Sequence, residues 1–121
     1  MENKITEILT ELKASFSENQ KTCILQVMDN LSQNNINLHK VGKEHLTMFV
    51  NHLLVLFQRI DAKDFLQMEG IDIMFAEFKE TSIAIAKKVS NLINNFFNTD
   101  ISKSEIFLIT THIENILNQQ E

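Results

Sequence analysis

Apolar residues recur at intervals of three and four along most of the chain, a pattern typical of helices with one buried face. The spacing predicts a first helix near Asn3 to Ser17, a second near Lys21 to Gln33 and a third near Lys43 to Ile60. Between the second and third, the polar stretch from Ser32 to Asn37 interrupts the pattern and Gly42 ends it. These residues favour turns over helix interiors, so we predict a loop there.

The third predicted helix is apolar on every side from Leu53 to Phe57. A helix on the surface keeps one polar face, so this one should be the central, most buried element. The polar stretch from Asp61 to Asp64 ends it, and we predict a short turn of helix near Phe65 and Leu66. The next long helix begins between residues 71 and 78 and continues to about Phe97.

The last helix has a clear start. Ser102 and Glu105 form the S-x-x-E pattern of a capping box, and apolar residues follow at helical spacing from Ile106 to Leu117. No internal repeat or domain linker interrupts the chain. We therefore predict an all-α fold, a compact helical bundle of about five helices around one core.

Composition supports helices and narrows the function. The 121 residues include no proline and two glycines, which disfavours turn-rich β folds and Gly-rich phosphate loops. The net charge of -5 argues against direct binding of nucleic acid, and the mean hydropathy of -0.08 argues against a spanning helix. A single cysteine, Cys23, and an N-terminus without signal-peptide features predict a cytoplasmic protein.

Four histidines are the side chains best suited to reactive chemistry. The chain has no Gly-x-Ser-x-Gly, Cys-x-x-Cys, Walker-type or Glu-x-x-His pattern, so we expect neither an enzyme nor a cofactor. The histidines are spaced by six, seven and sixty residues, which matches no structural zinc pattern. We therefore expect no metal site. His39 and His45 are expected to be solvated.

His52 and Arg59 stand seven residues apart on the third predicted helix, and so on one face of it. Arg59 is the one arginine in a chain that otherwise uses lysine, and planar two-point anion recognition is where lysine cannot replace arginine. Its guanidinium could lean toward the imidazole or toward an anion placed on it. The alternative is that Arg59 caps the helix C-terminus or pairs with Asp61 or Asp64.

His112 lies on or beside the buried stripe of the last helix, three residues after Ile109 and four before Ile116. A histidine at such a position is commonly a hydrogen-bonded core residue. A reactive role is the other interpretation. The residues of the last helix alone do not separate the two.

Two motifs carry a resemblance. Phe49-Val50-Asn51-His52-Leu53, followed by Arg59-Ile60, and then Glu105-Ile106-Phe107-Leu108-Ile109-Thr110-Thr111-His112-Ile113, stand in order with sixty residues between the histidines. In this the chain resembles the PTS regulation domain, or PRD, of sugar-responsive bacterial antiterminators and transcription activators. The likeness covers about residues 20 to 118. It suggests an N-terminal helix at 1–18 outside the matched part and a PRD-like domain at 19–121.

The resemblance implies a bundle of antiparallel helix pairs, usually dimeric, with the histidines near a shared interface. It implies that His52 and His112 accept phosphate from the phosphocarrier HPr or a sugar-specific enzyme II component, while Arg59 and Asn51 bind or position it. Regulators of this family generally carry tandem copies behind a nucleic-acid-binding module.

The chain shows one copy, so we expect a stand-alone module that acts on transcription or antitermination through a homodimer or through a heterodimer with a larger regulator. We expect no contact with nucleic acid or membrane. The alternative is a structural interaction module of the same fold in which His52 and His112 are polar core residues.

Overall fold

The computed structural model of the protein describes residues 2–120, which form six α-helices and a 3-10 helix at Leu38–Lys40 and contain no strand. The all-α fold is therefore confirmed. The helices are α1 (Glu2–Leu12), α2 (Glu18–Gln33), α3 (Lys43–Ala62), α4 (Ile71–Phe75), α5 (Glu80–Phe97) and α6 (Lys103–Asn118).

Helix α3 lies at the centre of the bundle, as its apolar circumference predicts. It packs against α1, α2 and α6, while α5 packs against α2 and α6. Eight of its residues are buried, more than in any other helix of the described chain: Leu46, Phe49, Val50, Leu53, Leu54, Leu56, Phe57 and Ile60. One continuous apolar core joins them to the buried faces of α1, α2, α5 and α6. The side chains of α3 that face α6 are consequently fixed on a rigid element.

The first helix is shorter than predicted. It ends at Leu12, where Lys13 adopts a left-handed backbone with φ of 52°. Phe16, which lies inside the predicted helix, is 37% exposed in the loop that follows α1. The reason lies in Ser17, whose hydroxyl accepts a hydrogen bond from the Gln20 N–H while the Gln20 side chain accepts one from the Ser17 N–H. This capping box starts α2 at Glu18, earlier than predicted, and leaves a loop before it.

Replacing Ser17 with Ala should lower the free energy of unfolding by about 1 kcal/mol, because the cap satisfies an N–H that the helix itself cannot. Ser15→Ala is the matched control, since Ser15 lies in the preceding loop outside the capping box. Urea unfolding of both variants measures the difference. Equal losses in the two would show that the cap contributes nothing specific.

The connection from α3 to α5 departs most from the prediction. Residues 64–68 are not helical, so the predicted turn near Phe65 and Leu66 is wrong. Lys63 ends α3 in a left-handed conformation with φ of 55°, and side chains of α6 bind the backbone of the residues that follow. Gly70, with φ of 73°, precedes the short α4. Hydrogen bonds to the side chains of α6 therefore replace the backbone hydrogen bonds that a helix would form at these residues.

Helix α5 begins at Glu80, with a cap supplied by another helix. The Glu114 carboxylate on α6 accepts hydrogen bonds from the Lys79 N–H at 2.8 Å and from the Ser82 hydroxyl at 3.0 Å. The predicted start between residues 71 and 78 is wrong: the separate helix α4 and a turn occupy these positions, and the group that caps α5 comes from α6.

Candidate functional site

Helices α3 and α6 meet along a face that carries four polar residues in two layers. His52 contacts His112, with ring centroids 4.9 Å apart, and Arg59 forms an ion pair with Glu105. Each helix contributes its two residues seven positions apart, and the order is reversed between them, so the two helices run antiparallel along this contact. Seven residues of helix span about 10.5 Å, which is the separation of the histidine layer from the ionic layer.

The histidine layer holds two half-buried imidazoles against an aromatic ring. The rings of His52 and His112 are inclined at 37°, and the Phe49 ring lies 5.7 Å from that of His112. Burial, together with the opposition of nearby His112 and Arg59 to another positive charge, lowers the pKa of His52 to about 4. Burial also lowers the pKa of His112. Both rings are therefore neutral near pH 7, the state in which an imidazole nitrogen is a nucleophile.

The ring nitrogens differ in their surroundings. Nε2 of His52 is the one side-chain nitrogen or oxygen in residues 2–120 that is buried without a hydrogen-bond partner. Such an atom costs about 1–3 kcal/mol relative to its hydration in water. Neither nitrogen of His112 is closed off in this way. A reagent could reach Nε2 of His52 only after the contact around that ring opens.

The ionic layer is a two-point contact. Arg59 Nε donates to Glu105 Oε2 at 2.6 Å, and Arg59 Nη2 donates to Glu105 Oε1 at 2.7 Å. The Glu105 side chain is fully buried and that of Arg59 is 20% exposed. A buried carboxylate needs a cation with well-aligned hydrogen bonds, and the guanidinium fork supplies both. Arg59 lies in the last turn of α3, but its partner is Glu105, so the predicted pairing with Asp61 or Asp64 is wrong.

Glu105 also fastens the 63–70 loop to the start of α6. Its Oε2 accepts a third hydrogen bond, from the Leu66 N–H at 3.1 Å. The Ser102 hydroxyl donates to the Leu66 carbonyl at 2.6 Å, and the Met68 N–H donates to the Ser104 hydroxyl at 2.7 Å. The predicted capping box forms on one side only: Ser102 accepts from the Glu105 N–H, while the Glu105 carboxylate turns to α3 and the loop.

The remaining predicted residues lie outside these layers. His39 is exposed, and His45 is half-buried rather than solvated. Asn51 is exposed on α3 beside His52, and its role at a phosphate stays a prediction. Within the described part of the chain, no three or more His, Cys, Asp or Glu side chains come together in a group that could hold a metal ion.

Cys23 has no place in the site. It is fully buried on α2, and burial raises the pKa of its thiol to about 12. Thiol reactivity depends on the thiolate, so this residue packs as a small apolar side chain. As for membranes, none of the helices between residues 2 and 120 combines the length and apolar character that crossing one requires.

Glu105 is the residue of this contact that the sequence analysis did not assign to the site, because the capping pattern already accounted for it. A signal was present. Glu105 and His112 are seven residues apart, as are His52 and Arg59. Equal spacing on two helices allows both pairs to meet at once if the helices run antiparallel.

The architecture and the site define a class of protein: an all-α domain that brings together one histidine from each of two distant motifs. The model of one family, described as the PRD domain, matches residues 26–116. The chain belongs to this family, as the resemblance indicated, and PRD domains are in general PTS regulation domains. The matched range contains both motifs and leaves α1 outside it. Searches of curated proteins and of solved structures returned no match.

Proposed function

We propose that the protein is a phosphotransfer-responsive regulatory module in which His52 and His112 accept phosphoryl groups from HPr or an enzyme II component. The observation that carries the proposal is the 4.9 Å contact between two imidazoles that burial keeps neutral. In the transfer, an imidazole nitrogen forms an N–P bond while the bond from the donor protein to phosphorus breaks. No further reactant is needed.

A phosphoryl group in this layer changes the balance of charge. It brings close to two negative charges into a half-buried contact between rings. The two imidazoles cannot keep their present packing around such a group, and the arrangement of α3 against α6 must adjust. Regulation would follow if this adjustment alters how the protein associates with a second copy or with a larger regulator.

One observation favours the alternative, a structural interaction module. Nε2 of His52 is sealed from solvent, so this conformation does not present that atom to a donor. In the alternative His52 and His112 serve only to pack α3 against α6. The two functions differ in one outcome, the appearance of phosphate on either ring.

Incubation with phosphorylated HPr and matching enzyme II components, followed by mapping of acid-labile phosphate, tests the proposal. We expect label on His52 or His112, and its loss from the labelled ring when that residue is changed to Gln. His39→Gln is the control, because His39 is exposed and lies outside both motifs, and this variant should be labelled as the wild type is. Absence of label from both histidines would refute the proposal and leave the structural module.

A further inference from the structure

Arg59 is already engaged when no phosphate is present. Both oxygens of Glu105 bind it, and the carboxylate has no exposure to water. Side chains on a helix lean toward its N-terminus, so Arg59 is directed from its own turn toward the His52 layer. The electrostatics agree, because Arg59 lowers the pKa of His52 whereas Glu105 raises it. A phosphoryl group on His52 would thus arrive one layer away from a cation that already has another partner.

We propose that Glu105 is a positioning residue that holds Arg59 until a phosphoryl group on His52 takes over the guanidinium, and that this exchange releases the 63–70 loop from α6. The inference rests on the proposed function, since it needs phosphate on His52. No covalent bond changes in the exchange. One ion pair replaces another.

Charge gives the exchange its direction. A phosphoryl group carries close to two charges and three acceptor oxygens, whereas Glu105 offers one charge and two oxygens. Both groups accept the two-point contact that a guanidinium prefers. The dianion is therefore the stronger competitor for Arg59 once it is within reach.

The release follows from burial. After the exchange, Glu105 would be a buried carboxylate whose remaining hydrogen-bond donor is the Leu66 N–H. A buried charge without its partner is strongly unfavourable, so the carboxylate must reach water or a proton. The 63–70 loop covers this carboxylate and is the segment that can move. Six of its eight residues are exposed, and the polar contacts that hold it to α6 come from Ser102, Ser104 and Glu105 itself. Movement there would carry the signal to the surface.

Hydrogen exchange at the amides of Leu66 and Met68 measures the release. In protein phosphorylated at His52, with occupancy measured by mass spectrometry, both amides should exchange about tenfold faster, since a hydrogen bond to a charged or well-aligned group is worth roughly that factor. The amides of Val27 and Met28, in the core of α2, should keep their protection. Phosphate on His52 with unchanged exchange at Leu66 and Met68 would overturn the exchange mechanism and leave the proposed function standing.

A second arm needs no donor protein. Arg59→Lys keeps the positive charge and loses the two-point fork, so the unphosphorylated variant should already show fast exchange at Leu66 and Met68. Slow exchange at both amides in this variant would overturn the inference. The proposed function is judged separately, by label on the histidines.

Glu105→Gln distinguishes a positioning role from a structural one. Arg59 is then no longer held by a charge, so phosphorylation of His52 should add no further increase in exchange at Leu66, although it does so in the wild type. The pKa of His52, followed by NMR titration, should also fall, because a charge that raises it is gone. Glu114→Gln is the matched control on α6: it removes the charge of a carboxylate that binds the start of α5 rather than the 63–70 loop, and it should leave that loop and the response to phosphate unchanged. A phosphate response in Glu105→Gln equal to that of the wild type would contradict the proposal.

Discussion

Replacing Arg59 with Met is expected to lower the free energy of unfolding by about 3–5 kcal/mol, because it leaves a buried carboxylate without its cation. The Glu105 side chain is fully buried, and without Arg59 the Leu66 N–H is its remaining donor in the 63–70 loop. Urea unfolding monitored by circular dichroism at pH 7 measures the loss. For a domain of this size that is a large share of the total stability.

The control for Arg59→Met is Lys43→Met. Lys43 bridges Glu7 and Glu11 on α1, but all three side chains are between 40% and 58% exposed. Exposed ion pairs contribute little to stability because water screens them, so this variant should unfold near the wild type. The double variant Arg59→Met, Glu105→Leu should regain much of the loss, since it removes the stranded charge as well. A loss in Arg59→Met no larger than in Lys43→Met would show that the buried pair does not stabilise the fold.

Acidification is expected to destabilise the protein between about pH 7 and pH 4, by up to about 3 kcal/mol from His52 alone. The pKa of His52 is about 4 in the folded chain against an ordinary value of 6.5. Between these values the unfolded chain binds a proton that the folded chain does not. The stabilising effect of the neutral ring is therefore complete above pH 6.5 and is lost as the pH falls toward 4. His112, whose pKa is also lowered, acts in the same direction.

Urea midpoints at pH 7, 6 and 5 measure this dependence. His52→Gln should flatten the slope, because the residue that takes up the proton on unfolding is gone. His39→Gln should keep the wild-type slope, since His39 is exposed and outside the contact. A slope in His52→Gln equal to that of the wild type would place the source of the pH dependence elsewhere.

The two layers of the α3–α6 contact differ in how they are bonded. The histidine layer is neutral and carries an unsatisfied nitrogen, so little polar bonding holds it closed. The ionic layer is held by two hydrogen bonds between Arg59 and Glu105, and Glu105 also binds the 63–70 loop. A modification at the first layer can be relayed to the second because both layers lie on the same two helices, about two turns apart.

Local pattern alone predicted much of the fold. The apolar spacing located α2, α3 and α6 to within a few residues, and the polar loop before α3 is where the 3-10 helix lies. Ser102 does cap α6, as its motif indicated. These features depend on periodicity and on hydrogen bonds between residues three or four positions apart, which the order of amino acids specifies directly. The two histidines were likewise singled out from their motifs.

Tertiary structure alone decided the partners. Arg59 binds a carboxylate 46 residues away, the backbone of Leu66 is held from α6, and the cap of α5 is Glu114, 35 residues after Lys79. Two of these contacts stand in place of partners nearer in the sequence. Arg59 pairs with Glu105 instead of Asp61 or Asp64, and the loop bonds to α6 instead of forming local helical hydrogen bonds. Burial is the physical reason, because a charge or backbone group removed from water must bond to whatever polar group the packing of helices brings beside it, however distant in the chain.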